Sequence, residues 1–153
     1  GHDIGDAVLI EFARKINETI RESDMFIRWG GEEFLLVARL FDIEDYHRIA
    51  ERIRNVISQT KFELDKDLKL NISCTVGGVI YPNSSDLTID IPWTQLVKLA
   101  DNALYMGKRQ QRNCWVCIDE ITEANVLDLI IQQDLEDSVK NKQVAISHSM
   151  QRT

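Results

Sequence analysis

Residues 25–39, MFIRWGGEEFLLVAR, hold two short runs rich in β-formers, MFIRW and EFLLVAR, joined by the glycine pair Gly30 and Gly31. That pattern predicts a β-hairpin, because glycine supplies the positive φ that tight hairpin turns need. A tip without Cβ atoms also lets a bulky ligand approach the backbone. Two acids, Glu32 and Glu33, follow the glycines at once. Adjacent carboxylates with no base beside them repel when both are ionised. A divalent cation relieves that repulsion and leaves coordination positions for phosphate oxygens. The chemistry to which this stretch points is metal-assisted work on a nucleotide.

Upstream of the hairpin, Val8, Leu9, Phe12, Ala13, Ile16 and Ile20 recur at intervals of three and four, which predicts an amphipathic helix over residues 7 to about 22. Downstream, FDIEDYHRIAERIRNVISQT returns to helical period, with Asp42 as N-cap and acids in the first turn. KFEL, the polar DKD and LKLNISCTVGGVIY read as a second hairpin, residues 82–92 as a loop rich in Asn, Ser and Asp, WTQLVKLADNALYMGKRQ as a third helix and NCWVCI as a closing strand. After Ile121, TEANVLDLIIQQDLEDSVKN reads as helical and KQVAISHSMQRT as a linking tail. Helices alternating with hairpins predict an α+β architecture, with helices packed on a largely antiparallel sheet.

Composition narrows the function. At 153 residues and 44% hydrophobic, the chain is long enough for one domain with a single core. Its 25 acids against 18 bases give a net charge of −7, which repels a phosphate backbone, so no nucleic acid partner is expected. No apolar run approaches the roughly 20 residues needed to span a bilayer, and no basic-then-apolar leader opens the chain, so the domain reads as cytoplasmic. Cys74, Cys114 and Cys117 are odd in number and lie in apolar surroundings, which argues for buried thiols rather than disulfides. Cys114 and Cys117 form a C-x-x-C, but on an extended strand residues three apart face opposite ways, which is wrong for chelation. His2, His47 and His148 lack ligand spacing, and neither G-x-S-x-G nor H-E-x-x-H occurs. Lys108 and Arg112, four apart at the end of the third predicted helix, are expected to share a face.

GGEEF, residues 30–34, resembles the signature loop of the GGDEF family, the diguanylate cyclases, in its GGEEF variant. GHDIGDAVL at residues 1–9 is similar to the family's GH-x-x-GD-x-VL, RESD at 21–24 to its R-x-x-D, and ADNALYMGKRQQRN at 100–113 to its AD-x-ALY-x-AK-x-x-GRN. The resemblance runs from Gly1 to about Ile118. It implies a palm-like nucleotidyl cyclase fold of the α+β class, with a central, mainly antiparallel sheet flanked by helices. It also implies condensation of two GTP into cyclic di-GMP with release of pyrophosphate, Mg²⁺ or Mn²⁺ as cofactor, and a homodimer in which each copy holds one GTP. On the same resemblance Glu32 is a metal ligand and Glu33 helps activate the attacking hydroxyl. Gly30 and Gly31 let the phosphates pass, Asp6 recognises guanine, Leu9 lines the base pocket, and Lys108 and Arg112 neutralise the β and γ phosphates. Arg21 and Asp24, supported by Arg52, match the family's inhibitory site for product.

The chain departs from the family pattern in three places. Gly107 stands where alanine is usual, Gln111 where a glycine precedes the arginine, and CTVGG at residues 74–78 where S-I-G is common. The family's first strand, with a metal-binding aspartate, and the next helix, with a guanine-binding asparagine, would precede Gly1. The expected organisation is therefore an N-terminally truncated GGDEF domain over residues 1–120 and a helical extension or linker over 121–153. Such a fragment is expected to be inactive by itself. The parent would be a bacterial signalling protein, membrane-anchored only through an upstream sensor region. The alternative is a GGDEF domain that no longer turns over GTP and serves as a cyclic di-GMP or GTP binding regulatory module.

Overall fold

The computed structural model describes residues 2–65, 68–81, 91–119 and 121. The polar turn, most of the loop after Tyr81 and the helix and tail expected after Ile121 lie outside them. Among the described residues the elements run α1 (His2–Asn17), β1 (Met25–Gly30), β2 (Glu33–Val37), α2 (Ile43–Gln59), β3 (Lys61–Asp65), β4 (Leu68–Asn71), β5 (Val76–Val79), α3 (Trp93–Gln110) and β6 (Trp115–Ile118).

α1 begins earlier and ends earlier than its apolar period predicts. Asp3 lies in its first turn, where an acid favours the positive end of the helix dipole. After Asn17 the chain tightens, with Thr19 N–H donating to Ile16 O at 2.8 Å, and the helix gives way to the RESD turn. α2 matches its expected start. The Asp42 carboxylate accepts from Asp45 N–H at 2.8 Å, satisfying one of the orphan donors of the first turn. α3 spans the residues its period marks out, and Pro92 O accepts from Gln95 N–H at 2.9 Å and from Leu96 N–H at 3.2 Å.

In place of the single core expected, the described residues divide into two compact units. The first contains α1, the β1–β2 hairpin, α2, β3, β4 and residues 107–116. Its core gathers Ile16, Ile53, Ile57 and Phe62, with Phe26 and Leu36 of the hairpin packed against them. The second unit holds residues 77–81, 91–106, 117–119 and 121 among those described. It buries Leu99 of α3 with Ile91 and Ile121, an apolar stripe that finds its cover within the unit itself.

β1 pairs with β2 and β3 with β4, both antiparallel. The long run expected from Leu68 to Tyr81 is broken at residues 72–75, and β5 pairs with β6 instead. Val76 N–H donates to Cys114 O and Ile80 N–H to Ile118 O, so the two strands advance in the same direction. A parallel pair needs a crossover connection, which α3 supplies.

Candidate active site

The hairpin register sets the geometry of the acidic tip. Arg28 pairs with Phe34 and Gly30 with Glu33, so Trp29 is the extra residue of a bulge, and Gly31 and Glu32 are the two turn residues. The sequence placed both glycines at the tip; the structure keeps Gly30 in the strand and moves Glu32 into the turn. Gly31 has φ +51°, a left-handed backbone that suits glycine. Both glutamates are exposed. Behind them Phe34 turns inward and stacks on Phe26 and Phe12, each at 5.1 Å between ring centroids. This aromatic stack roots the tip on α1. The sequence motifs do not announce it, although the three phenylalanines were legible as apolar positions.

α1 carries Asp6 and Leu9 on successive turns, Asp6 exposed and Leu9 half-buried, one turn before Phe12. The same helix thus supplies both the expected base-recognition residues and the ring that seats the hairpin.

From the other side the last turn of α3 brings Lys108 to the tip. Its Nζ lies 3.4 Å from Glu33 Oε1, across 75 residues of sequence. Both side chains are about half exposed, so the pair is held loosely. Arg112 does not share a helix face with Lys108 as its spacing predicts. α3 ends at Gln110, Arg112 and Asn113 take left-handed backbones with φ 53° and 45°, and Arg112 N–H donates to Gly107 O at 3.1 Å. Once the chain leaves the helix, the four-residue spacing no longer decides direction.

The RESD turn is closed by its own polar groups. Asp24 Oδ2 accepts from Arg21 N–H and Asp24 N–H donates to Arg21 O, both at 3.0 Å. Asp24 therefore holds the loop, and the Arg21 side chain is exposed. The Asp45 carboxyl lies below its ordinary range, mainly through the Phe41 N–H bond and Arg48, with a contribution from the Arg21 charge. Arg52 lies two turns further along α2, exposed, beside an open groove of about 600 Å³ whose lining includes His47, Asn55 and Trp115. Arg21 and Asp24 lie in the RESD turn and Arg52 on α2, all within the first unit.

β6 is tied to α2 by side chains. Tyr46 OH donates to Val116 O at 2.8 Å, and Trp115 Nε1 donates to Glu51 Oε2 at 3.1 Å. Glu51 also receives the Arg54 fork at 2.6 and 2.9 Å, and these bonds, Arg54 first, draw its carboxyl down to about 2. The Cys74 and Cys117 thiols are pushed up to about 11 by burial, which suits inert packing groups.

Glu32 and Glu33 offer hard oxygen donors of the kind Mg²⁺ and Mn²⁺ take, and their exposed position leaves room for ligand oxygens. Among the described residues no group of three or more His, Cys, Asp or Glu assembles around them, so the two carboxylates fit as part of a coordination shell.

Comparison with known proteins shows the family. The family model described as diguanylate cyclase, GGDEF domain, matches residues 1–114. Diguanylate cyclase DosC of Escherichia coli (strain K12) is 31% identical over 74% of this chain and 23% of its own length. Response regulator PleD of Caulobacter vibrioides (strain NA1000 / CB15N) is 36% identical over 76% of this chain and 25% of its own. Diguanylate cyclase SiaD of Pseudomonas aeruginosa, solved in complex with its activator SiaC, superposes with a TM-score of 0.68 at 34% identity, over 77% of this chain and 43% of that one. The chain spans only about a quarter of the length of DosC and PleD. Among the described residues no helix is long and apolar enough to cross a membrane. The acidic hairpin tip, the helix that seats it, the nucleotidyl cyclase-like α+β fold and the extent of the match lead to one conclusion: the chain belongs to the GGDEF family of diguanylate cyclase domains.

Proposed function

We propose that this domain, paired with a second copy, condenses two GTP into cyclic di-GMP and releases pyrophosphate. The observation that carries the reading is the meeting of Lys108 with Glu33 at the hairpin tip, 3.4 Å apart. It places a cation that can bind phosphate beside carboxylates that can bind a divalent metal. In this reading Glu32 would hold Mg²⁺ or Mn²⁺, which would supply charge neutralisation for the phosphates, and the 3′ oxygen of one GTP attacks the α-phosphorus of the other with pyrophosphate leaving. Glu33 assists the attacking hydroxyl. Lys108 leaves its weak pair with Glu33 for a phosphate oxygen, an exchange of small cost because the pair is exposed. Arg112, beyond the helix end, adds a second cation from a different direction. Asp6 accepts from guanine N1–H and the exocyclic amine, and Leu9 lines the base. Arg21 and Arg52 take product phosphates on the flank of α2, with Asp24 holding the loop that presents Arg21.

The test is incubation of the intact protein with GTP and Mg²⁺, with cyclic di-GMP followed by chromatography and an Arg21→Ala variant run beside it. The expected result is product formation in both, with a progress curve that bends later in Arg21→Ala. A protein that binds cyclic di-GMP but forms none replaces the cyclase with the regulatory module. A variant whose curve bends as early as wild type removes the product site from the Arg21 turn.

A further inference from the structure

The Arg28 guanidinium lies outside the roles assigned so far, and its geometry is specific. Although exposed, Arg28 directs both Nε–H and Nη2–H to one acceptor, the Gly31 carbonyl, at 3.0 and 2.9 Å. That oxygen belongs to the peptide joining Gly31 to Glu32. The orientation of this one plane decides the direction in which Glu32 leaves the turn. The Phe34 stack and the loose Lys108–Glu33 pair hold the residues that follow, and the glycines themselves are unpacked. A Cβ at Gly30 or Gly31 would meet no atom within 4 Å, and the ladder skips a residue between Arg28 and Gly30. Two adjacent glycines in open space sample more backbone conformations than any other pair.

Its register partner is Phe34, so Arg28 lies on the same face of the hairpin as Phe26, Phe34 and Leu36, anchored in the strand while its side chain stays exposed. A planar fork on a carbonyl gives two charge-assisted bonds with one fixed direction, which a flexible ammonium does not reproduce.

We propose that Arg28 is a positioning residue that locks the Gly31–Glu32 peptide and so aims the Glu32 carboxylate. The consequence for catalysis rests on the cyclase reading; the lock itself does not.

The experiment compares Arg28→Ala and Arg28→Lys with wild type in the intact protein, by amide ¹⁵N relaxation at Gly31 and Glu32 and by steady-state kinetics with GTP and Mg²⁺. In wild type the two amides are expected near the rigid backbone value of about 0.85, and in Arg28→Ala below about 0.6. The kcat of Arg28→Ala is expected to fall about tenfold to a hundredfold, with KM for GTP within about threefold, because a misaimed carboxylate is felt at the reacting centre more than in ground-state binding. Arg28→Lys, with charge but no fork, falls between. Unchanged amide order in Arg28→Ala overturns the lock, and loosened amides with wild-type kcat overturn its role in aiming Glu32. A wild-type protein that forms no cyclic di-GMP, with loosened tip amides in Arg28→Ala, sinks the cyclase reading and leaves the lock standing.

Discussion

At the hairpin tip a Cβ on Gly30 or Gly31 would meet nothing within 4 Å, whereas one on Gly107 would stand 2.7 Å from Thr75 Cγ2 and 3.3 Å from both Cys114 Sγ and Val116 Cγ2. The same residue type does opposite work in these regions. At the tip it keeps space open and, at Gly31, permits a left-handed turn. At the end of α3 it lets a helix come down onto a strand, one residue before Lys108. The second unit has its own case of close approach. A Cβ on Gly77 would lie 2.1 Å from Leu104 N, a backbone atom that cannot swing aside. The tip is therefore free of packing constraint at its glycines, and the helix end is set by what it packs against.

The largest expected effect separates the two kinds of region by function. Glu32→Gln keeps shape and removes a charge at an exposed turn, so turnover of GTP in the intact protein should fall on the order of a hundredfold to a thousandfold. Its melting midpoint should stay within about 2 °C of wild type, because a surface change away from packing is worth little. Product assay and thermal melt of the same preparation check both halves. Wild-type turnover in this variant breaks the comparison at its functional end.

Next comes the packed glycine. Gly107→Ala gains helix propensity of about 1 kcal/mol but forces its methyl into a β-branched side chain with little freedom, at a cost of about 1–3 kcal/mol. The clash is expected to win, for a net loss of about 1–2 kcal/mol in denaturant unfolding. Thr75→Ser deletes the atom in the way. In that background Gly107→Ala should become neutral or stabilising by up to about 1 kcal/mol. A sign that does not change between the two backgrounds refutes the packing argument.

A smaller contrast lies within the tip. Gly31→Ala places a side chain on a backbone of φ +51° and should cost about 1–2 kcal/mol. Gly30→Ala has open space and no positive φ, and should lie within about 0.5 kcal/mol of wild type or slightly above it. Equal effects in equilibrium unfolding contradict the register that puts Gly30 in the strand.

The smallest effect depends on pH. The folded Glu51 carboxyl is held at about 2, below the ordinary 4.5, by Arg54, Trp115 and Asn55. A depressed carboxylate contributes stability that is fully present above about 4.5 and disappears as pH falls through about 2. Melting midpoints of wild type and Glu51→Gln should therefore differ most above pH 5 and converge toward pH 2. A constant gap across that range contradicts the assignment.

How far these features could be read from the sequence depended on whether their cause was local. Asp42 starts α2 because a cap is a short-range bond, and α3 shows its limits through its apolar period and Pro92. The hairpin and its acids were equally legible. The start of α1 was not, because polar residues and Gly5 precede its apolar stripe. Arg112 was placed on a helix it does not occupy, since its left-handed backbone follows Gln111 where a glycine would have marked the exit. The pairing of β5 with β6 depends on a crossover that no local pattern states. The Arg28 bond crosses a turn whose register is shifted by the bulge at Trp29, and the meeting of Lys108 with Glu33 joins residues far apart in sequence.

The bulge has one more consequence, for observation rather than chemistry. The chain has three tryptophans, and the structure gives them different surroundings. Trp115 is hydrogen-bonded to Glu51 with His47 stacked at 4.7 Å, and Trp93 opens α3. Trp29 sits 56% exposed at the bulge beside the turn that carries Glu32. Its emission is a built-in optical gauge of the tip: with Trp93 and Trp115 replaced by phenylalanine, the proposed binding of Mn²⁺ or GTP at the hairpin is expected to change it, and can be tested without any label.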